Sequence, residues 1–153
     1  MEDHWIEILL NLDINDLKLI YVTNITFYKI LTSTYFWKLY FLKYGFEIPD
    51  KKMNIKQWII LFNATSIVTN MEKNKRSQLP VFRYAKITFN QEIVNYIKNR
   101  NYKKIEHQLI YNKGFFIEII IEFKDNTEDA DSFDISKAQA IEYVEQLFDN
   151  NLL

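Results

Sequence analysis

The chain has 153 residues, a formal net charge of −1 and no cysteine. This length is enough for one domain or two small ones with a buried core. Because cysteine is absent, disulfides, thiolate nucleophiles and cysteine-based zinc sites are excluded. A composition of 48% hydrophobic and 16% aromatic residues is too apolar for a disordered protein.

The charge is distributed unevenly along the chain. Residues 1–48 carry four basic and six acidic groups, residues 49–108 carry twelve and four, and residues 109–153 carry three and ten. A basic centre and an acidic C-terminal part can pair within one fold or face two different partners. We expect pairing within the fold, because opposite charges on one protein surface can pair without any partner. Each such surface ion pair contributes little free energy.

The N-terminal residues do not resemble a targeting signal. Met1 to His4 are polar and acidic, whereas a signal peptide begins with a basic segment. The longest purely apolar runs, such as residues 58–62, are far shorter than the ~20 residues that a membrane span needs. We therefore expect an intracellular protein, cytoplasmic or nuclear, with no membrane partner.

Apolar residues at helical spacing predict four short helices within residues 1–48. Asp13, Asn24 (or Thr23) and Ser33 are suitable N-cap residues, and Gly45 is a suitable residue to follow the last helix. A fifth amphipathic helix is predicted over residues 54–63, behind a connection that includes Pro49. Residues 70–78 are polar and lack periodicity, so the linker helix and polar connection are assigned to residues 49–77.

Residues 78–153 predict a small α+β unit of order β-α-β-β-α. The predicted elements are a strand over 81–89, a helix from Asn90 to Asn99, a hairpin of strands 104–111 and 115–123, an acidic loop over 125–134, and a final helix opened by the capping box at Ser136. The fold class is therefore α+β, with a small N-terminal helical bundle followed by this unit.

The pattern of apolar and acidic residues between Ile8 and Trp37 resembles an F-box. In an ungapped placement Ile8-Leu9, Leu12-Asp13, Asp16-Leu17 and Phe36-Trp37 fall on paired positions of the family pattern, with Phe27 on its Trp and Ile30 on the Leu that follows. The sequence departs from the family at its start, where Met1 replaces Pro and His4-Trp5 replace Ile-Leu. Thr23 also stands where Val is usual. The resemblance covers less than a third of the chain.

The resemblance implies a non-enzymatic adaptor. Its helical module would dock an Skp1-type subunit of a cullin ubiquitin ligase, and its C-terminal unit would bind a target protein of unknown identity. The docking residues implied are Met1, Trp5, Ile8, Leu9, Leu12, Leu17, Phe27, Ile30 and Trp37. The short length and the abundance of Ile, Asn and Lys are similar to F-box proteins of large DNA viruses, which implies a host–virus interaction inside the host cell.

Two other classes of function stay open. The basic segment of residues 98–104 could contact the phosphates of nucleic acid and stack on a base. Its candidate residues are Lys98, Arg100, Tyr102, Lys103 and Lys104. A solvated helix end with cations near its C-terminus explains part of this segment without a ligand. The third class is a structural protein whose helical stripes pair with a second copy.

The sequence predicts no catalytic residue, no metal site and no cofactor. With two glycines in the whole chain there is no phosphate-cradling loop or dinucleotide fingerprint. The two histidines, His4 and His107, lie about a hundred residues apart without patterned carboxylates beside them. Residues 125–131 lack the Gly and Glu that a calcium loop requires. We therefore expect that the protein is not an enzyme.

Overall fold

The computed structural model describes residues 2–83, 86–98 and 100–153. The chain forms two compact units, a helical unit that ends at Thr65 and a sheet unit that begins at Ser66. The division falls inside one long helix, whereas the sequence predicted a linker helix followed by a polar connection over residues 49–77. The class is α+β, with N-terminal helices followed by a unit that contains a sheet, as predicted.

The helical unit begins with four short helices in the described part of the chain. They are α1 (Glu2–Leu10), α2 (Ile14–Ile20), α3 (Ile25–Leu31) and α4 (Thr34–Lys43). Two of the predicted caps form, because Asp13 accepts from the Asp16 amide and Asn24 accepts from the amides of Thr26 and Phe27. These bonds satisfy amides that have no partner within the helix. Ser33 precedes α4 without a capping bond from its side chain.

Aromatic side chains fill the core of the helical unit. Trp37 is fully buried and lies parallel to Trp58, with ring centroids 5.9 Å apart. Its indole Nε1 donates to the Leu31 carbonyl at 2.7 Å, so its one polar atom is satisfied. Tyr40 donates to the Leu12 carbonyl at 3.0 Å, and burial raises the pKa of its hydroxyl. The other fully buried side chains of this unit include Leu9, Leu17, Leu31, Phe36 and Phe41.

Helix α5 (Ile55–Lys73) is longer than the sequence predicted. Asn54 and Gln57 exchange hydrogen bonds of 2.8 and 2.9 Å at its start, which confirms the predicted N-terminus. The prediction that residues 70–78 form a polar connection was wrong. The helix continues because Val68 and Met71 are buried and extend its apolar side, while Asn70 and Glu72 are exposed.

One antiparallel sheet organises the sheet unit. Its described strands are β1 (Arg76–Gln78), β2 (Tyr102–Asn112), β3 (Phe115–Phe123) and β4 (Glu128–Ile135), which lie in that order across the sheet. The helices are α6 (Gln91–Ile97) and α7 (Lys137–Asp149). The predicted hairpin is confirmed, since Tyr111 pairs with Phe115 and Leu109 with Ile117. Strand β3 alternates in burial from Phe115 to Ile121, as expected for one covered face.

The predicted strand over residues 81–89 was wrong for its described residues, 81–83 and 86–89. Only Phe82 pairs there, in a single bridge to His107 with two backbone bonds of 2.9 Å. Strand β1 occupies the edge of β2 instead, and the Leu79 amide still bonds to Leu109. Pro80 follows and has no amide to donate, which explains why the ladder is interrupted there before Phe82 pairs with His107.

The predicted acidic loop over residues 125–134 was also wrong, because most of it is strand β4. This strand pairs with β3 from Glu122↔Glu128 to Phe115↔Ile135 and buries Phe133. Its acidic side chains lie on an edge strand, where charges are well solvated and discourage pairing with other chains. The sheet unit therefore has the order β-α-β-β-β-α, one strand more than predicted.

Helix α7 begins with the capping box predicted from the sequence. Ser136 accepts from the Gln139 amide at 3.1 Å, and the Gln139 side chain accepts from the Ser136 amide at 3.3 Å. We expect Ser136→Ala to lower the free energy of unfolding of the sheet unit by about 1 kcal/mol. Ser33→Ala is the matched control, since Ser33 precedes α4 without a capping bond. Urea denaturation of both variants would contradict the assignment if the two losses were equal.

Candidate partner-binding surface

The residues that the F-box resemblance implied for docking separate into a buried and an accessible group. Leu9, Leu17, Ile30 and Trp37 are 0–4% exposed. A partner could reach them only by opening the helical unit, so we expect them to hold the helices in place. Leu12 and Phe27 are partly exposed. Trp5 and Ile8 are 36% and 39% exposed, and Met1 lies outside the described residues.

An aromatic contact joins the accessible residues of α1 to those of α3. The Trp5 ring lies edge-on to Phe27, with centroids 5.3 Å apart and an angle of 71° between the rings. His4 also contacts Trp5, at 6.1 Å between centroids. These contacts orient the exposed indole, so that it is held in place before any partner arrives.

Four further apolar side chains on α2, α3 and the turn between them point to solvent. Leu19, Val22 and Ile25 are 70–73% exposed and Tyr28 is half exposed. They were not predicted from the sequence, because the predicted apolar stripes are mainly those that form the core. Their regular spacing of three residues, outside those stripes, was the available signal. We name Trp5, Ile8, Leu19, Val22, Ile25 and Tyr28 the apolar surface of the helical unit.

The basic segment of residues 98–104 is largely neutralised by carboxylates of the sheet. Lys104 Nζ lies 2.9 Å from Glu106 and 3.6 Å from Glu122, and Lys103 Nζ lies 3.5 Å from Glu122. The ammonium of Lys104 lowers the pKa of the Glu106 carboxyl. Lys98 follows α6, and Tyr102 begins β2 with a partly exposed ring. A phosphate binding here would have to displace these carboxylates.

Arg100 forms the most closely packed of these charge pairs. Its guanidinium lies 2.5 Å from Asp129 on β4 and 4.3 Å from the centre of the Tyr96 ring on α6. The hydrogen bond from Arg100 lowers the pKa of the Asp129 carboxyl. Burial, reinforced by the nearby Asp129, raises the pKa of Tyr96. Basic residues of the central part of the sequence thus pair with acidic residues of its C-terminal part within the sheet unit. This is the arrangement that we expected from the charge distribution.

His107 is part of the core of the sheet unit. It is 1% exposed, and its Nδ1 lies 2.6 Å from the Tyr143 hydroxyl of α7. Burial raises the pKa of Tyr143, and the direction of the hydrogen bond between its hydroxyl and Nδ1 depends on the histidine tautomer. The pair joins β2 to α7, a structural role that suits a buried and hydrogen-bonded histidine.

Comparison with known proteins gives no match: no protein-family model, curated protein or solved structure corresponds to this chain. Among the described residues, no helix is both long and apolar enough to cross a membrane. Within the same residues, no three His, Asp or Glu side chains are grouped so that they could hold a metal ion.

Proposed function

We propose that the protein is an adaptor whose helical unit docks an Skp1-type subunit of a cullin ubiquitin ligase while its sheet unit binds a target protein. The observation that carries this proposal is the exposure of six large apolar side chains on α1, α2, α3 and the turn between α2 and α3. These helices lie in the part of the chain that resembles an F-box. By the same resemblance, the complex would direct the target to ubiquitination.

The physical case rests on the free energy of apolar burial. Covering a large apolar side chain contributes about 1.5–3 kcal/mol. The contact of Trp5 with Phe27 brings α1 beside α3, and a patch of exposed apolar side chains typically marks a protein interface. Trp5 and Tyr28 supply the aromatic anchors that interfaces favour. The buried residues Leu17 and Trp37 hold in place the helices that present these anchors. The buried residues of the pattern that resembles an F-box thus have a structural role, while the apolar surface has the docking role.

The outward face of the sheet supports the assignment of target binding to the sheet unit. Ile110 pairs with Phe116, and Ile120 lies further along the same side of β3. All three are partly exposed, and Glu118 and Glu122 alternate with them along β3. A half-apolar face bordered by carboxylates is suited to a partner that presents apolar and basic side chains together.

Binding of purified Skp1 tests the docking role. We expect wild-type protein to capture Skp1, and Val22→Asp and Ile25→Asp each to weaken binding about 30-fold or more, as for a residue at the centre of an interface. Both side chains are more than 70% exposed, so the variants should fold normally. Leu42→Asp on α4 is the matched control, since Leu42 is 61% exposed but lies outside the apolar surface. Leu9 is unsuitable for such a test because it is fully buried.

The same proteins distinguish docking from self-association. If wild type captures no Skp1, or if Val22→Asp and Ile25→Asp bind Skp1 as wild type does, the docking role is wrong. Light scattering then tests the alternative, self-association. A stable dimer that Ile25→Asp converts to a monomer would mean that the apolar surface pairs with a second copy. A wild type that is monomeric alone and binds Skp1 in a one-to-one complex supports the adaptor.

A further inference from the structure

A cationic depression lies in the sheet unit, at the end where β1 meets the β2–β3 hairpin. It has a volume of about 670 Å³ and is lined by Lys75, Arg76, Tyr111, Asn112 and Lys113. Three of these five side chains are cationic. Within the described part of the chain, none of the three cations forms an ion pair. This sets them apart from Arg100, Lys103 and Lys104, which all contact carboxylates.

Two of these cations stand on backbone that lysine rarely adopts. Lys75, just after α5, has a φ of 59°, and Lys113, in the β2–β3 turn, has a φ of 61°. Left-handed backbone is unfavourable for a side chain with a Cβ and favours glycine or asparagine. Gly114 follows Lys113 directly and does not take this conformation. Unfavourable backbone of this kind concentrates at binding sites, so both lysines are candidates for a role in ligand binding.

A second depression adjoins the first and is lined by one cation instead of three. Its volume is about 440 Å³, and it shares Arg76 and Asn112 with the first. Its other lining residues are Ser77, Gln78, Ile110 and Phe116. The two together offer three cations, the apolar side chains of Ile110 and Phe116, and amide and hydroxyl groups beside them.

We propose that the two depressions bind a nucleoside polyphosphate. The phosphates contact Lys75, Arg76 and Lys113, since clustered cations without carboxylate partners favour a multiply charged anion. The base lies over Ile110 and Phe116, at one end of the face proposed for target binding, where Gln78 and Asn112 can hydrogen-bond to its edge. A compact ligand is favoured over a nucleic-acid strand because the cations meet at one place, while those along β2 are already paired with Glu106 and Glu122.

Titration calorimetry with ATP, adenosine, inorganic triphosphate and single-stranded oligonucleotide tests this proposal. We expect ATP to bind, with an affinity that falls as salt rises, inorganic triphosphate to bind more weakly, and adenosine alone to bind least. Phe116→Ala should weaken ATP at least threefold and leave triphosphate unchanged, because only ATP has a base to place there.

The double variant Lys75→Gly/Lys113→Gly separates binding from folding. It removes two cations and relieves both left-handed positions, so ATP affinity should fall at least tenfold while Tm stays the same or rises. Lys103→Gln/Lys104→Gln is the charge-matched control and should retain ATP affinity. The proposal is overturned if wild type does not bind ATP, if the glycine variant binds ATP as wild type does, or if the oligonucleotide binds and ATP does not.

Discussion

Replacing Trp37 with alanine should lower the free energy of unfolding of the helical unit by about 3–5 kcal/mol. The side chain is fully buried, stacks on Trp58 and donates to the Leu31 carbonyl. Its removal leaves a large cavity beside Trp58 and an acceptor without its donor, and both effects act in the same direction. The change would be among the most destabilising single substitutions in this unit.

Tyr35 on the same helix is the matched control for Trp37. It is 61% exposed, so Tyr35→Ala should change the free energy of unfolding by less than about 0.5 kcal/mol. Urea denaturation followed by tryptophan fluorescence is the appropriate measurement, because the protein's tryptophans, Trp5, Trp37 and Trp58, all belong to the helical unit. Equal losses in the two variants would show that Trp37 is not part of the core.

In the sheet unit, Ile119→Ala should lower the free energy of unfolding by about 2–5 kcal/mol. Ile119 is fully buried on β3, which has β2 on one side and β4 on the other. The alternation of β3 places its neighbour Ile120 on the opposite, partly exposed face, so Ile120→Ala should cost clearly less. The two substitutions delete the same atoms from neighbouring residues. The difference between their losses in unfolding free energy therefore reports how deeply each face of β3 is buried.

Circular dichroism and amide hydrogen exchange of β2 and β3 are the suitable measurements for these two variants, since the sheet unit contains no tryptophan. Amides of the central strands should exchange faster in Ile119→Ala than in Ile120→Ala. The opposite order would contradict the assignment of the buried face. It would also shift the proposed target-binding face, which includes Ile120, to the other side of β3.

The elements that were predicted correctly carry their signal within a few residues. Asp13, Asn24, Asn90 and Ser136 each cap a helix with a hydrogen bond to an amide two or three residues later. The alternation of Phe115 to Phe123 and the turn before it likewise specify a hairpin locally. Such features can be predicted without knowledge of the fold, because the hydrogen bonds and contacts that stabilise them join residues that are close in sequence.

The predictions that failed concern elements that depend on distant partners. Residues 128–135 are acidic and become a strand only because β3 offers an edge with apolar positions opposite Phe133 and Ile135. Residues 76–78 are a strand because β2 extends to Asn112. The end of α5 persists because Val68 and Met71 are buried. In each case contacts across the chain outweigh weak local preference.

The short N-terminal helices and the α+β class could be determined from the sequence alone, because helical stripes, caps and strand alternation are local properties. Only the tertiary structure decided which residues of the pattern that resembles an F-box lie in the core, such as Leu17 and Trp37. It also decided which apolar residues are left accessible, such as Val22 and Ile25. It also brought Lys75, Arg76 and Lys113 to one depression. The reason is physical: burial and the grouping of charges depend on which elements pack together, and residues far apart in sequence supply that free energy.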